Sequence, residues 1–141
     1  MIRNERGLII LHGAGVVFLG LVCGFAAVAE ELAGMRLQTW RAAHAALLLA
    51  GVWLLATAAV FPLLVLPPRQ KSALCWSLLG TAYAFTTAVL VQAITGVRAL
   101  EPSGALATWV AYAANIATVC TGLLAALLTL LGAAAALRGD P

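Results

Sequence analysis

Charged side chains are scarce in this chain: they make up 9% of its residues, whereas 64% are hydrophobic. A soluble domain of 141 residues cannot bury that much apolar surface, so the composition predicts an integral membrane protein. The five acidic residues all lie outside the predicted spans, in loops or near the termini: Glu5, Glu30, Glu31, Glu101 and Asp140. A proton-coupled transporter normally needs an acid inside a span, so this lack argues against that class.

The chain also lacks the motifs of common catalytic and nucleotide-binding sites. It contains no P-loop, dinucleotide fingerprint, HExxH or EF-hand pattern. No serine has a histidine and an acid nearby for nucleophilic catalysis. Its three cysteines form no CxxC pair and are interpreted as small buried hydrophobic residues. The basic residues are not interleaved with aromatic ones, so no nucleic-acid partner is expected.

The chain does contain four long apolar runs, at about 7–29, 41–66, 72–95 and 107–137. Each is long enough to cross a bilayer, which takes roughly 20 predominantly apolar residues. Short connections make consecutive helices antiparallel neighbours. The predicted fold is therefore all-α: an integral membrane four-helix bundle with antiparallel up-down topology, in a single domain spanning 1–141.

The basic residues predict the orientation in the membrane, because cytoplasmic loops are enriched in Lys and Arg. One side of the predicted bundle receives Arg3, Arg6, Arg69, Lys71 and Arg138, and the other receives Arg36, Arg41 and Arg98. We therefore expect both termini to be cytoplasmic, in a bacterial-type inner membrane.

Proline and glycine indicate where helices bend, end and touch. Pro62 lies inside the second run and is expected to kink that helix, which should end at Pro67-Pro68. Gly20 and Gly24 form a GxxxG motif, a pattern typical of close helix packing in membranes. We expect this face to bring helices close, and we expect space for a cofactor to lie between the subunits of an oligomer.

Two histidines lie in the apolar runs, and ionisable side chains there are functional candidates. His44 stands near the start of the second run, three residues after Arg41, and neutral imidazole is a common metal ligand. One such histidine beside an apolar cavity suits a haem site, and the cavity also suits a hydrophobic substrate from the bilayer. The alternative is an interfacial histidine that binds a backbone carbonyl or a lipid headgroup. Tyr83 and Asn115 are catalytic candidates among the neutral polar residues.

Depth separates the two histidines. His12 lies near the cytoplasmic end of the first helix and His44 near the outer end of the second, so their levels differ by roughly 15–25 Å. Two axial ligands of one iron lie only about 4 Å apart, judged from imidazole–metal bonds near 2 Å. A bis-histidine haem within one chain is therefore not expected. A single histidine leaves the sixth position of the iron open, which favours Lewis-acid chemistry over electron transfer.

Several segments resemble known membrane isomerases. The stretch 40–51, Trp-Arg-Ala-Ala-His-Ala-Ala-Leu-Leu-Leu-Ala-Gly, and the following Val60-Phe-Pro62 resemble the second helix of the styrene oxide isomerase family. His12-Gly13 resembles its first helix. Leu79–Ala84 and Ala136–Gly139 look more like the related hydroxylaminobenzene mutases. The resemblance spans all four helices.

The resemblance implies a trimer of four-helix subunits with haem b between them. His44 would be the axial ligand, with Trp40 and Arg41 also assigned to cofactor binding. Ferric iron would act as a Lewis acid on a small lipophilic substrate from the bilayer. The implied reaction is rearrangement of an epoxide to a carbonyl compound, or an arylhydroxylamine mutase reaction.

This chain departs from the family pattern at three polar positions. Ala50 and Phe85 stand where the family has asparagine, and Val89 stands where it has tyrosine. These departures keep a second function open, a non-catalytic haem-binding or structural subunit of a membrane complex. A third, a small-molecule transporter or channel, is disfavoured by the lack of acids within the spans.

Overall fold

In a computed structural model, which describes residues 4–34, 38–96, 101 and 104–139, the described chain forms four long α-helices and no strand. These are α1 (Glu5–Leu32), α2 (Thr39–Val60), α3 (Pro68–Thr95) and α4 (Leu106–Arg138). All four are long and apolar enough to cross a membrane. The prediction of an all-α, multi-pass membrane protein with four spanning helices is confirmed.

The helix α1 is longer than the apolar run that predicted it. It begins at Glu5 because the Asn4 side chain accepts a hydrogen bond from the N–H of Gly7 at 2.9 Å, a typical N-cap. It continues to Leu32 and so includes both acids that were expected in a loop. Glu30 is only 7% exposed. The placement of these two acids outside the helices was therefore wrong.

Pro62 ends α2 instead of kinking it. Proline has no backbone N–H, so the carbonyl of Ala58, four residues earlier, loses its partner within the helix. The α-helix stops at Val60 and a single 3-10 turn follows at Phe61–Leu63. The Arg6 side chain donates from Nε to the Ala58 carbonyl over 3.2 Å and so satisfies it. The predicted continuation of this helix to residue 66 was wrong.

The helix α3 starts four residues before its predicted run, at Pro68. Proline suits the first helical position, where its missing N–H would have no partner within the helix. The other end is marked by Gly96, whose φ of 69° places it in the left-handed region. A glycine there closes a helix without the strain that a side chain would introduce.

Glycines allow α1 and α2 to pack closely. A Cβ at Gly51 would lie 2.5 Å from Val17 Cγ2 and 2.9 Å from the Gly13 carbonyl oxygen, so only hydrogen fits there. Gly13 faces Leu54, and Gly20 faces Leu47. Residue numbers therefore rise along α1 as they fall along α2.

The remaining contacts join α3 to its neighbours. Against α1, Cys75 Sγ donates to the Glu5 carbonyl at 3.8 Å, so α3 begins beside the start of α1. Against α4, Thr81 Oγ1 donates to Thr121 Oγ1 at 2.8 Å, close to the point where Gly80 approaches the Thr121 side chain. The up-down topology of the whole bundle stays a prediction. The orientation in the membrane also stays a prediction. Three of the basic residues on which it rests, Arg3, Arg36 and Arg98, lie outside the described residues, as does the acidic Asp140.

We expect Thr86→Val to leave the bundle as stable as before or up to about 1 kcal/mol more stable. Thr86 Oγ1 is fully buried and has no hydrogen-bond partner among the described residues, and valine has nearly the same shape. Thr81→Val, the matched control, should destabilise by about 1 kcal/mol because it removes the bond to Thr121. Unfolding in detergent measures both, and an equal loss in the two variants would contradict the expectation.

Candidate functional site

His44 binds a main-chain carbonyl of the neighbouring helix. Its Nδ1 lies 2.7 Å from the Gly20 carbonyl oxygen, and the side chain is half-buried. A carbonyl oxygen only accepts, so Nδ1 carries a proton, and in the neutral imidazole Nε2 then keeps its lone pair. No hydrogen-bond partner of Nε2 lies among the described residues. Of the unpaired side-chain polar atoms in those residues, Thr86 Oγ1 is the one that is fully buried. Nε2 is therefore at least partly exposed.

The GxxxG motif of α1 lies under this imidazole. A Cβ at Gly24 would lie 2.8 Å from His44 Nδ1 and 3.0 Å from Cε1, so the ring occupies the space that a side chain there would fill. A Cβ at Gly20 would meet the backbone nitrogen of Leu48 at 3.0 Å. Both glycines are thus covered by α2 of the same chain, so this face brings two helices of one chain close together.

His12 belongs to a different polar pair. Its Nδ1 lies 2.6 Å from the Tyr83 hydroxyl, and the two rings meet edge to face with centroids 5.4 Å apart. Gly24, which contacts His44, lies twelve residues further along α1 than His12, or about 18 Å at 1.5 Å per residue. This separation agrees with the predicted difference in depth. Tyr83, a catalytic candidate that is 56% exposed, is therefore placed with His12 and not with His44.

The other predicted site residues lie at two separate places. Trp40 is partly buried and packs against the hydrophobic core. Arg41 forms an ion pair with Glu31, which connects the start of α2 to the end of α1. The Arg41 side chain is 56% exposed and that of Glu31 is 67% exposed. Asn115 is half-buried on α4, which packs against α3.

A groove runs between α2 and α3 and reaches α4. One part is a cavity of about 320 Å³ whose walls include Trp53, Phe85 and Thr118. An adjoining cavity of about 330 Å³ shares Ala46 and Phe85 with it and reaches Gly96. We call the two together the α2–α3 groove.

The three positions that depart from the family pattern all line this groove. Ala50 and Phe85 line the first cavity, and Phe85 and Val89 line the second. The hydroxyls in the first cavity are already used: Thr81 donates to Thr121 Oγ1 or the Ser77 carbonyl, and Thr118 donates to the Ala114 carbonyl. That cavity therefore offers a bound molecule apolar contact and no free hydroxyl proton.

His44 and the α2–α3 groove lie on different sides of α2. Each residue turns an α-helix by about 100°. Ala46 and Trp53, two and nine residues after His44, therefore project roughly 160–180° away from it, and Ala50 projects about 120° away. A molecule in the groove of one chain is separated from the imidazole of that chain by α2 itself.

No group of three or more His, Cys, Asp or Glu side chains within the described residues could hold a metal ion. A metal bound at His44 would therefore need its other ligands from a prosthetic group or from another chain. A porphyrin supplies four nitrogen ligands and needs one axial side chain, so the single accessible imidazole fits haem better than it fits a free ion.

The family model for styrene oxide isomerase matches residues 5–134, from the first turn of α1 to the last turns of α4. The chain belongs to the styrene oxide isomerase family. Searches of curated proteins and of solved structures gave no match. The resemblance read from 40–51 is thus confirmed, and the family indicates an isomerase-type membrane protein.

This chain combines a partly exposed imidazole with a groove that is apolar at positions 50, 85 and 89. His44 retains a free nitrogen, whereas Ala50, Phe85 and Val89 replace the two amides and the phenol of the family pattern. The sequence analysis gave a backbone carbonyl as an alternative partner of His44, as the structure shows, but did not identify it as that of Gly20. The signal for it was the GxxxG motif, which faces the histidine once α1 and α2 pair.

Proposed function

We propose that the protein is a haem b-dependent membrane isomerase in which His44 Nε2 is the axial ligand. The observation that carries this proposal is the 2.7 Å contact of Nδ1 with the Gly20 carbonyl, which makes Nε2 the nitrogen with a free lone pair in the neutral imidazole. Metal-binding histidines almost always donate their other ring N–H to such an acceptor. When bound, haem iron supplies an open coordination position that acts as a Lewis acid on a substrate oxygen.

The α2–α3 groove is the proposed binding place for the hydrocarbon part of the substrate. Its aromatic walls, Trp53 and Phe85, suit a small aryl compound, and about 320 Å³ is at the lower end of the usual range for small-molecule sites. Such a molecule partitions into the bilayer and can enter from it. The reaction class is epoxide to carbonyl rearrangement, or the arylhydroxylamine mutase type.

The proposed enzyme is a homo-oligomer, a trimer by family resemblance, in the inner membrane with both termini cytoplasmic. The separation of His44 and the groove on different sides of α2 supports a site between subunits. The imidazole of one chain and the groove of the next can face the same molecule only if the chains pack side by side. Trp40 and Arg41, at the same end of α2 as His44, are proposed to contact the cofactor there.

A second candidate function is a non-catalytic haem-binding subunit. The observation that favours it is the apolar character of the groove at Ala50, Phe85 and Val89. A substrate oxygen beside these three positions has no amide or phenol to orient it, and a poorly oriented substrate reacts slowly.

Spectra and turnover of the detergent-purified protein test the two candidates. A Soret band after expression with ample haem supports both. Conversion of an aryl epoxide or an aryl hydroxylamine supports the isomerase, and its absence in a protein that binds haem supports the non-catalytic subunit. Wild-type protein without a Soret band would contradict both.

Restoring the three polar side chains should raise aryl epoxide turnover. We expect Ala50→Asn, Phe85→Asn and Val89→Tyr, combined, to increase kcat/KM by about tenfold for each hydrogen bond gained to the substrate oxygen. Ala46→Asn, which adds an amide to the same groove outside the family pattern, is the matched control and should give no gain. Equal rates in the control and the triple variant would contradict this role of the groove.

A further inference from the structure

We propose that Gly20 and Gly24 are positioning residues for His44, which hold its imidazole as the Nδ1–H tautomer and present Nε2 to the ligand. Gly20 supplies the carbonyl oxygen that accepts from Nδ1, and Gly24 supplies the space in which the ring lies. The inference rests on the proposed function only for the identity of the ligand as haem. The geometry that carries it belongs to the chain alone.

The spacing of four residues has a physical reason. In an α-helix the carbonyl of residue 20 points toward the N–H of residue 24, and the side chain of residue 24 begins beside that carbonyl. A carbonyl oxygen has two lone pairs, so the Gly20 carbonyl can accept from both the Gly24 N–H and His44 Nδ1. A methyl group at position 24 would occupy the approach that the imidazole uses.

The surroundings of the two glycines differ in a way that assigns their roles. The three atoms nearest to a Cβ at Gly24 all belong to the His44 ring, the closest at 2.8 Å. A Cβ at Gly20 would instead meet the backbone nitrogen of Leu48 and the Cβ of Leu47 at 3.0 and 3.2 Å. Gly20 therefore also serves helix packing, whereas the missing side chain of Gly24 serves the imidazole.

The tautomer decides which nitrogen can bind a metal. Imidazole binds a metal through the nitrogen that lacks a proton, and its hydrogen-bonding partner fixes which one this is. Without the Gly20 carbonyl, His44 would distribute its proton between both nitrogens and its ring would rotate more freely. Both changes lower the fraction of chains that offer Nε2 in one fixed direction.

The first test is ¹⁵N NMR of histidine-labelled protein in detergent without added haem. We expect His44 in the wild type to carry its proton on Nδ1, with the His12 signals identified from His12→Ala. Gly24→Ala should abolish that single tautomer. Gly15→Ala, on the same helix but with nothing within 4 Å of its Cβ, should retain it. Wild-type His44 protonated on Nε2 would overturn the proposal even if no variant folds.

The second test is haem titration of the same variants. We expect Gly24→Ala to bind haem roughly 10- to 100-fold more weakly than the wild type, the range found when a partner that orients a metal ligand is lost. Gly15→Ala should bind as the wild type does. Unchanged tautomer and unchanged affinity in Gly24→Ala would overturn the proposal. The expected tautomers in a protein that binds no haem would support the positioning role and refute the proposed function.

Discussion

Replacing His44 by alanine is expected to remove haem from the purified protein and with it the wild-type Soret band. The Gly20 carbonyl holds His44 Nδ1, and this contact fixes the direction in which the ring presents Nε2. We expect the affinity to fall by more than about 100-fold, since losing only the partner of a metal ligand already costs 10- to 100-fold. Absorption spectra of the oxidised and reduced variant measure the effect.

His12→Ala is the matched control for this substitution. It removes the other histidine and its contact with the Tyr83 hydroxyl, about 18 Å along α1 from the place where His44 is bound. The His12 variant should therefore keep the wild-type spectrum. If His44→Ala kept its haem while His12→Ala lost it, the two histidines would have to exchange roles.

Replacing Gly51 by alanine is expected to disrupt the bundle. The added Cβ would lie 2.8 Å from the backbone nitrogen of Val17 and 2.9 Å from the Gly13 carbonyl oxygen. Backbone atoms cannot move aside by a change of rotamer, so α1 and α2 would have to separate. Overpacking of this kind costs about 1–3 kcal/mol, a large part of the stability of a small domain.

The comparison for Gly51→Ala is Gly15→Ala, which replaces a glycine that has open space around it. That variant should be unchanged or more stable by up to about 1 kcal/mol, because alanine favours helices over glycine. Unfolding curves in detergent, followed by circular dichroism, distinguish the two. A Gly51 variant as stable as the Gly15 variant would show that α1 and α2 do not meet at this distance.

The apolar runs predicted the four spans because the thickness of a bilayer sets a minimum helix length. The ends of the helices depend on single residues that hydropathy does not detect. Asn4 caps α1, and Pro68 begins α3. The end of α2 depends on Pro62 and on the distant Arg6, whose contact with the Ala58 carbonyl exists only once α1 and α2 have paired.

The candidate site was predictable in its residue types and less so in its geometry. His44 stood out because an ionisable side chain in an apolar run needs a partner. That partner is the main-chain carbonyl of Gly20, which the GxxxG motif indicates only once the pairing of α1 with α2 is known. The pairing of His12 with Tyr83 was missed for a related reason, since these residues meet only through the packing of α1 on α3.

Because His44 and the α2–α3 groove lie on different sides of α2, the two can change independently in evolution. A substitution at Ala50 alters the wall of the α2–α3 groove. It does not change the side of α2 that carries His44 and faces Gly20 of α1. Descendants of one ancestor can therefore exchange the molecules they recognise while inheriting the same imidazole. Lineages would then share the side of α2 that carries the imidazole and differ in the side that lines the groove.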